Sequence, residues 1–357
     1  MMKRARKWII TVSFILTAVF TASGTACGAS KDGGKLSTPE NVRVENRVLY
    51  WDEVKNADYY VVSASNGKRY ETTECQVELT DLQKSGTYKF NIFAKSHNEK
   101  YEVSKSASIS YELAAPVATG EDKYHFKYKW VEELNGYEVA IGNAVLQDEL
   151  ILPDYFRDYP VKKIADKGFT FAVFRTEYGQ TSPNTYWYDE TTCNTITKSI
   201  RFPQYLEVIG LGAFYALTEM EEVIIPEEVT EIQDFAFGSC AKLKKVTFPN
   251  GLKKIGEGAF AHTALETLDL PDRLTAIGTG AFACPIVGWG VNKYHVNSAL
   301  SRVEIPNMIK EIGTIFEGRE NLTAIVFQGV EYTYSATQPT EAGNYWYWGG
   351  RRFAIWE

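Results

Sequence analysis

Five prolines, at 203, 226, 249, 271 and 306, stand at steps of 23, 23, 22 and 35 residues, and each closes a short alternating strand. The strands are Ile200-Arg201-Phe202, Val223-Ile224-Ile225, Val246-Thr247-Phe248, Leu268-Asp269-Leu270 and Val303-Glu304-Ile305; a sixth, Ile325-Val326-Phe327, lacks the proline. Three residues past each proline stands an aliphatic (Leu206, Val229, Leu252, Leu274, Ile309), and six past stands an isoleucine (Ile209, Ile232, Ile255, Ile277, Ile312). Ten and eleven past, Ala-Phe recurs at Ala213-Phe214, Ala236-Phe237, Ala259-Phe260 and Ala281-Phe282. A degenerate earlier unit opens at Ile151-Leu152-Pro153 and keeps Val161, Ile164 and Phe169 at the same mutual spacing. So many columns in register define an internal repeat, which constrains the architecture before any local propensity does.

A coil of about 23 residues cannot close its own core, so successive coils must stack and share one apolar column. The strand residue before each proline, and the one two before that, are expected to point inward with the Ile and Phe columns. Arg201, Ile224, Thr247, Asp269, Glu304 and Val326 lie between those positions and are expected to face solvent. Proline at the strand end stops the ladder and forces a turn. This pattern resembles the leucine-rich repeats of BspA-like bacterial surface proteins from about 137 to 330. The resemblance implies a solenoid of parallel strands joined by short turns or helices, which we place at 124–330, and a binding role.

Two insertions break the period. Phe-to-Pro spacing is 12, 12 and 11 in the regular coils, but 34 from Phe169 to Pro203 and 24 from Phe282 to Pro306. Both follow the Phe position, so both are expected on one edge of the stack, roughly 19 Å apart at one strand spacing per coil. They are aromatic: Tyr178, Tyr186, Trp187 and Tyr188 in the first, Trp289 and Tyr294 in the second. The tail, 331–357, adds Tyr345, Trp346, Tyr347 and Trp348 among others. Tyr and Trp give rigid contact area with a polar handle. Tyr186, Trp187, Tyr188, Trp289, Tyr294, Tyr345, Trp346 and Trp348 are therefore the candidate ligand-contacting rim; the alternative is that they cap the apolar ends of the stack.

Ahead of the repeat, residues 37–114 alternate in short runs cut by turn residues, among them Asn56-Ala57-Asp58 and Asn66-Gly67. About seven strands in this length suggest two packed sheets. Pro39, Val42, Trp51, the Tyr59-Tyr60-Val61 strand, and Leu82 followed by Tyr88 resemble a fibronectin type III domain. That resemblance implies Trp51 in the core, the Tyr88 hydroxyl on nearby backbone, and a spacer role. Residues 115–123 read as a linker.

The first 26 residues read as an export signal: Lys3, Arg4, Arg6 and Lys7, then apolar Trp8 to Phe20, then small residues up to Cys27. This resembles a lipoprotein signal, which implies lipidation at Cys27; Gly24 stands where that family usually has an aliphatic, and plain secretion is the alternative. Residues 27–36 read as a flexible tether. No later stretch is apolar enough to span a bilayer. Cys75, Cys193, Cys240 and Cys284 form an even set in an exported chain, which allows disulfides, but their irregular spacing favours buried thiols.

A net charge of −7 argues against nucleic acid. His97, His125, His262 and His295 lack metal spacing, and His262, after an Ala-Phe-Ala, is expected to be exposed. No nucleophile elbow, phosphate loop or paired-carboxylate pattern is present, so neither a catalytic residue nor a cofactor is expected. The expected fold class is mainly β, and the expected function is cell-surface binding of an extracellular protein or glycan. The alternative is a structural or accessory envelope lipoprotein that holds polysaccharide for a hydrolytic system.

Overall fold

The computed structural model describes residues 34–82, 84–171, 193–284, 299–312, 315–316, 319, 321–333, 346–348 and 351–353. Among the described residues the fold is mainly β, with one short 3-10 helix, Glu132–Leu134. Two antiparallel sheets come first. One has three strands, Arg43–Glu45, Val48–Tyr50 and Gln76–Glu78; the other orders four, Arg69–Thr72, Tyr59–Ala64, Gly86–Lys95 and Ala107–Leu113. Their buried residues include Leu49, Val62, Leu79, Phe90 and Ile92, with Trp51 edge-on to Tyr60 at 5.2 Å. The Tyr88 hydroxyl donates to the Lys84 carbonyl at 2.6 Å.

Residues 41–51 form a hairpin, because Asn46 and Arg47 both sit in the left-handed region (φ 49° and 60°) between its two strands. The tether expected to end at 36 already pairs, with Gly34–Lys35 parallel to Tyr101–Glu102 and Leu36 buried.

The repeat then forms two parallel ladders. In the longer one, Ile164, Ile209, Ile232, Ile255, Ile277 and Ile312 are successive register partners, which places the sequence's isoleucine column in one sheet. In the other, the pre-proline strands pair in parallel: Glu149–Ile151 with Ser199–Arg201, Glu222–Ile224 with Lys245–Thr247, and Arg302–Ile305 with Ala324–Phe327. Parallel neighbours need a long crossover, and here the crossover is the remainder of one coil. The Phe column closes the interior. Phe169, Phe214, Phe237, Phe260 and Phe282 stack at centroid spacings of 5.3–5.6 Å, and all are fully buried. Those spacings lie within the favourable range for offset aromatic pairs.

The third side of each coil is a turn whose amides bond to the next coil. The Phe214 amide donates to Ala236, Phe237 to Ala259 and Phe260 to Ala281, at 2.7–2.8 Å. Beside Ala216, Ser239 and His262, which are left-handed as well, this approach uses left-handed backbone at a position four residues earlier, occupied by Gly212, Phe235, Gly258 and Gly280. Phe235 is the exception in that column, and its ring occupies the space a side chain on Gly258 would need.

The ends of the stack hold what periodicity did not announce. Thr119–Glu121, inside the segment read as a linker, is a strand antiparallel to Lys127–Val131, which in turn pairs with Gly136–Ala140. Phe126 lies 6.1 Å from Phe169 and extends the ring stack, and Tyr128, Trp130, Tyr137, Phe156 and Tyr159 cluster beside it. At the other end Phe316 continues the stack, 5.8 Å from Phe282, although it lies ten residues past its proline and not eleven.

Candidate docking surface

The pre-proline strands turn Arg201, Ile224, Thr247 and Glu304 outward; Leu268-Asp269-Leu270, expected as a strand, is extended without ladder pairing, and Asp269 is exposed like the other four. Ile224 is 69% exposed, an isolated aliphatic in an otherwise polar column. Val326 departs from the expectation and is buried. Its strand folds back into Val330–Thr333, Val326 faces Glu331 across that hairpin, and Arg302 reaches over the same face to Glu331 at 3.2 Å. The last strand is thereby covered where the others are open.

The outer face of the isoleucine ladder carries cross-strand ion pairs, as the pre-proline face does at Arg201–Asp154 (3.5 Å) and Lys244–Glu221 (3.4 Å). Glu138 meets Lys163 at 3.4 Å, Lys163 meets Asp166 at 3.1 Å, and Lys254 meets Glu231 at 3.0 Å. Burial pulls the Lys163 ammonium down, but Asp166 and Glu138 outweigh it and hold its pKa above the ordinary lysine value. Opposite charges facing across adjacent strands favour this register over a slipped one. A concavity of about 500 Å³ at the amino-terminal edge, lined by Gly120, Lys127, Lys129 and Glu138 among others, continues this alternation of sign.

The two insertions leave from one edge. Phe169 and Phe282, each the last column residue before an insertion, are four steps apart in the ring stack, so the exits are separated by roughly 20 Å. Tyr186, Trp187, Tyr188, Trp289, Tyr294 and Tyr345, and Cys27 as well, lie outside the described residues. Trp346 and Trp348 fall in a strand, Trp346–Trp348, paired antiparallel with Arg351–Phe353.

Two cysteines border these exits, Cys193 at the first and Cys284 at the second. Cys240 is a free, fully buried thiol, pushed up to about 12 by burial, and it donates to the Phe214 carbonyl at 3.3 Å. Cys284 is buried, and Cys193 is half-buried against Tyr215, Ala216 and Phe235. Cys75 is a half-buried thiol 3.7 Å from the Tyr60 hydroxyl, so burial is complete only at the two repeat positions.

Sequence reasoning missed the groups that brace the second exit. Arg319 is buried, and its guanidinium donates to the carbonyls of Phe282 (2.7 Å) and Thr263 (2.6 Å) and to the Thr263 hydroxyl (3.0 Å). Burial lowers its pKa to about 10, which leaves it a cation at neutral pH. His262, expected to be exposed, is half-buried, because the turn sets it in the left-handed region (φ 55°) against the coil that carries Arg319. Its pKa is lowered from 6.5, by burial first and by the Arg319 charge second. The unfolded chain therefore binds a proton near pH 6.5 that the folded chain resists. The contribution is complete above that pH and is lost as pH falls towards the folded value. The expected result is a urea midpoint lower at pH 5.5 than at 7.5, with a smaller difference in His262→Asn; equal pH dependence in the two proteins would remove His262 from the account.

Among the described residues, no group of three His, Cys, Asp or Glu is placed to hold a metal ion, and no helix is long and apolar enough to cross a membrane. Stacked coils of short parallel strands, held by an aliphatic ladder and a phenylalanine column, define a leucine-rich-repeat class of fold. Residues 187–286 match the family model of BspA type leucine rich repeat regions, in six copies.

Comparison with curated proteins gives no match. Among solved structures, a leucine rich cell surface protein from Faecalibacterium prausnitzii is 22% identical, with 62% of this chain and 60% of that one covered at a TM-score of 0.37. The Treponema pallidum leucine rich repeat protein TpLRR is 18% identical, with 58% and 71% covered at 0.32. The pneumococcal vaccine antigen PcpA is 22% identical, with 60% and 54% covered at 0.33. The chain thus spans about 60% of the length of the first of these.

Proposed function

We propose that this is an exported surface protein, anchored by lipid at Cys27, whose repeat solenoid binds an extracellular protein or glycan and performs no chemistry of its own. In this reading the first two sheets are a fibronectin type III-like sandwich. The observation that carries the proposal is the pair of insertion exits on one edge of a stack whose coils are locked together by backbone bonds and the phenylalanine column. Such a stack can present two aromatic loops at a fixed separation, and insertions on one face are where repeat proteins often place recognition. The surface between the exits supplies exposed polar side chains at one strand spacing, and ion pairs on both ladders leave opposite charges matched, which suits docking better than catalysis.

A glycan array and a pull-down with the chain from Cys27 onward test it. Trp187→Ala and Trp289→Ala are expected to lower retention at least tenfold with the melting temperature unchanged. Loss of stability in these variants would instead assign the insertions to capping. Silence in both assays would favour a structural envelope role, while glycan capture without protein capture would favour an accessory that holds polysaccharide. The anchor is tested separately: Cys27→Ala is expected to release the protein into the medium, and continued membrane retention would contradict lipidation there.

A further inference from the structure

The first two sheets meet the repeat at a joint built from two hairpin tips. One tip is Asn46-Arg47, between Glu45 and Val48; the other is Arg157-Asp158, between Phe156 and Tyr159. All four tip residues lie in the left-handed region, at φ 49°, 60°, 46° and 65°, as tight two-residue hairpins demand. Such tips ordinarily take glycine, above all at the second position, where the chain here has Arg47 and Asp158. A bulky residue held in this conformation is strained, and its side chain is where a compensating contact should be sought.

Arg47 makes that contact. It is 1% exposed, donates to the carbonyls of Leu79 and Leu82, and lays its guanidinium over the Tyr159 ring at 5.4 Å. Tyr159, itself 1% exposed, donates its hydroxyl to the Ala114 carbonyl at 2.8 Å, at the end of the last strand of the first region. Beside them Tyr205, in the loop after Pro203, donates to Glu78 at 3.1 Å and packs edge-on against Tyr155 at 5.4 Å. The contacts come from both sheets of the first region and from two successive coils of the repeat. The Tyr111 hydroxyl and the Tyr155 hydroxyl are buried here as well.

We infer that the two hairpins, through Arg47 at one tip and Tyr159 beside the other, lock the first two sheets onto the first coils, so that the two regions fold and move as one body and the repeat surface points in a fixed direction from the amino-terminal tether. Domains in one chain move relative to each other unless their interface is well packed, and a spacer on a loose linker would leave Arg47 and Tyr159 open to water. The inference is independent of what the repeat binds.

The test uses the whole chain. Calorimetry of the unmodified protein is expected to show one unfolding transition shared by both regions; two separate transitions would overturn the inference. Hydrogen exchange then reads the coupling. Tyr159→Leu, a change confined to the repeat, is expected to speed exchange at least tenfold at residues 79–82 and 113–117, while amides of the coils around Phe237 stay protected. Arg47→Lys, which keeps the charge and loses the planar group, is expected to do the same at 155–160. Exchange that stays unchanged across the joint in both variants would sink the idea. If neither variant folds, the calorimetry of the unmodified chain still decides.

Discussion

Phe237→Ala is expected to cost about 3–5 kcal/mol, the usual range for emptying a buried aromatic site. Phe237 is fully buried between Phe214 at 5.4 Å and Phe260 at 5.3 Å. The void cannot collapse cheaply. Its walls are fixed by backbone bonds from the Phe214 amide to Ala236 and from the Phe237 amide to Ala259, so closing it would mean breaking the ladder. The loss includes two aromatic contacts, each worth about 0.5–1.5 kcal/mol beyond burial. Phe316→Ala is expected to cost less, because its contact with Phe282 is longer, at 5.8 Å, and it is slightly exposed where Phe237 is fully buried. Urea unfolding measures both. A Phe237→Ala cost under about 1 kcal/mol would mean that the coils are not mutually locked.

Arg319→Met is the second large expected effect. The substitution keeps an unbranched stem but removes donors from the buried carbonyls of Thr263 and Phe282 and from the Thr263 hydroxyl. An orphaned buried acceptor costs about 1–3 kcal/mol. Two orphaned carbonyls set the gross loss, and removing a buried cation returns part of it. The net expectation is about 2–4 kcal/mol, measured by thermal or urea unfolding. Arg319→Lys should recover less than half, since a single ammonium cannot reproduce the three-way fork. The damage should centre on the coils around Phe260 and Phe282, seen as faster amide exchange there. A variant within about 0.5 kcal/mol of the unmodified protein would show that Arg319 does not brace the second exit.

Much of the repeat was legible because its contacts recur. Ile209, Ile232 and Ile255 meet one another across the same step of 23 residues, so a single environment is written into the sequence several times over. Alternation within each strand then assigned Arg201, Ile224 and Thr247 to the outside. The same logic failed at Val326, because the strand there has an antiparallel partner, Val330–Thr333, and a covering ion pair. It also missed Phe316, one residue out of register, and Phe126, which joins the ring stack from outside the repeat. The candidate rim was legible only as composition. Aromatic insertions announce themselves, but whether Trp187 and Trp289 face a ligand or cover an end depends on contacts that periodicity does not encode.

The sequence by itself determined the stacking period, the inward columns, the outward positions before the last strand and the edge from which both insertions leave. It could do so because every one of these depends on relations between equivalent residues one coil apart. Tertiary structure alone decided how the stack is closed and joined. It turned Asn46-Arg47 into a hairpin tip, carried Arg47 onto Tyr159, and buried Arg319 against Thr263, 56 residues away. These contacts are made once, between distant residues, and a lone arginine looks the same in sequence whether it ends in water or in the core.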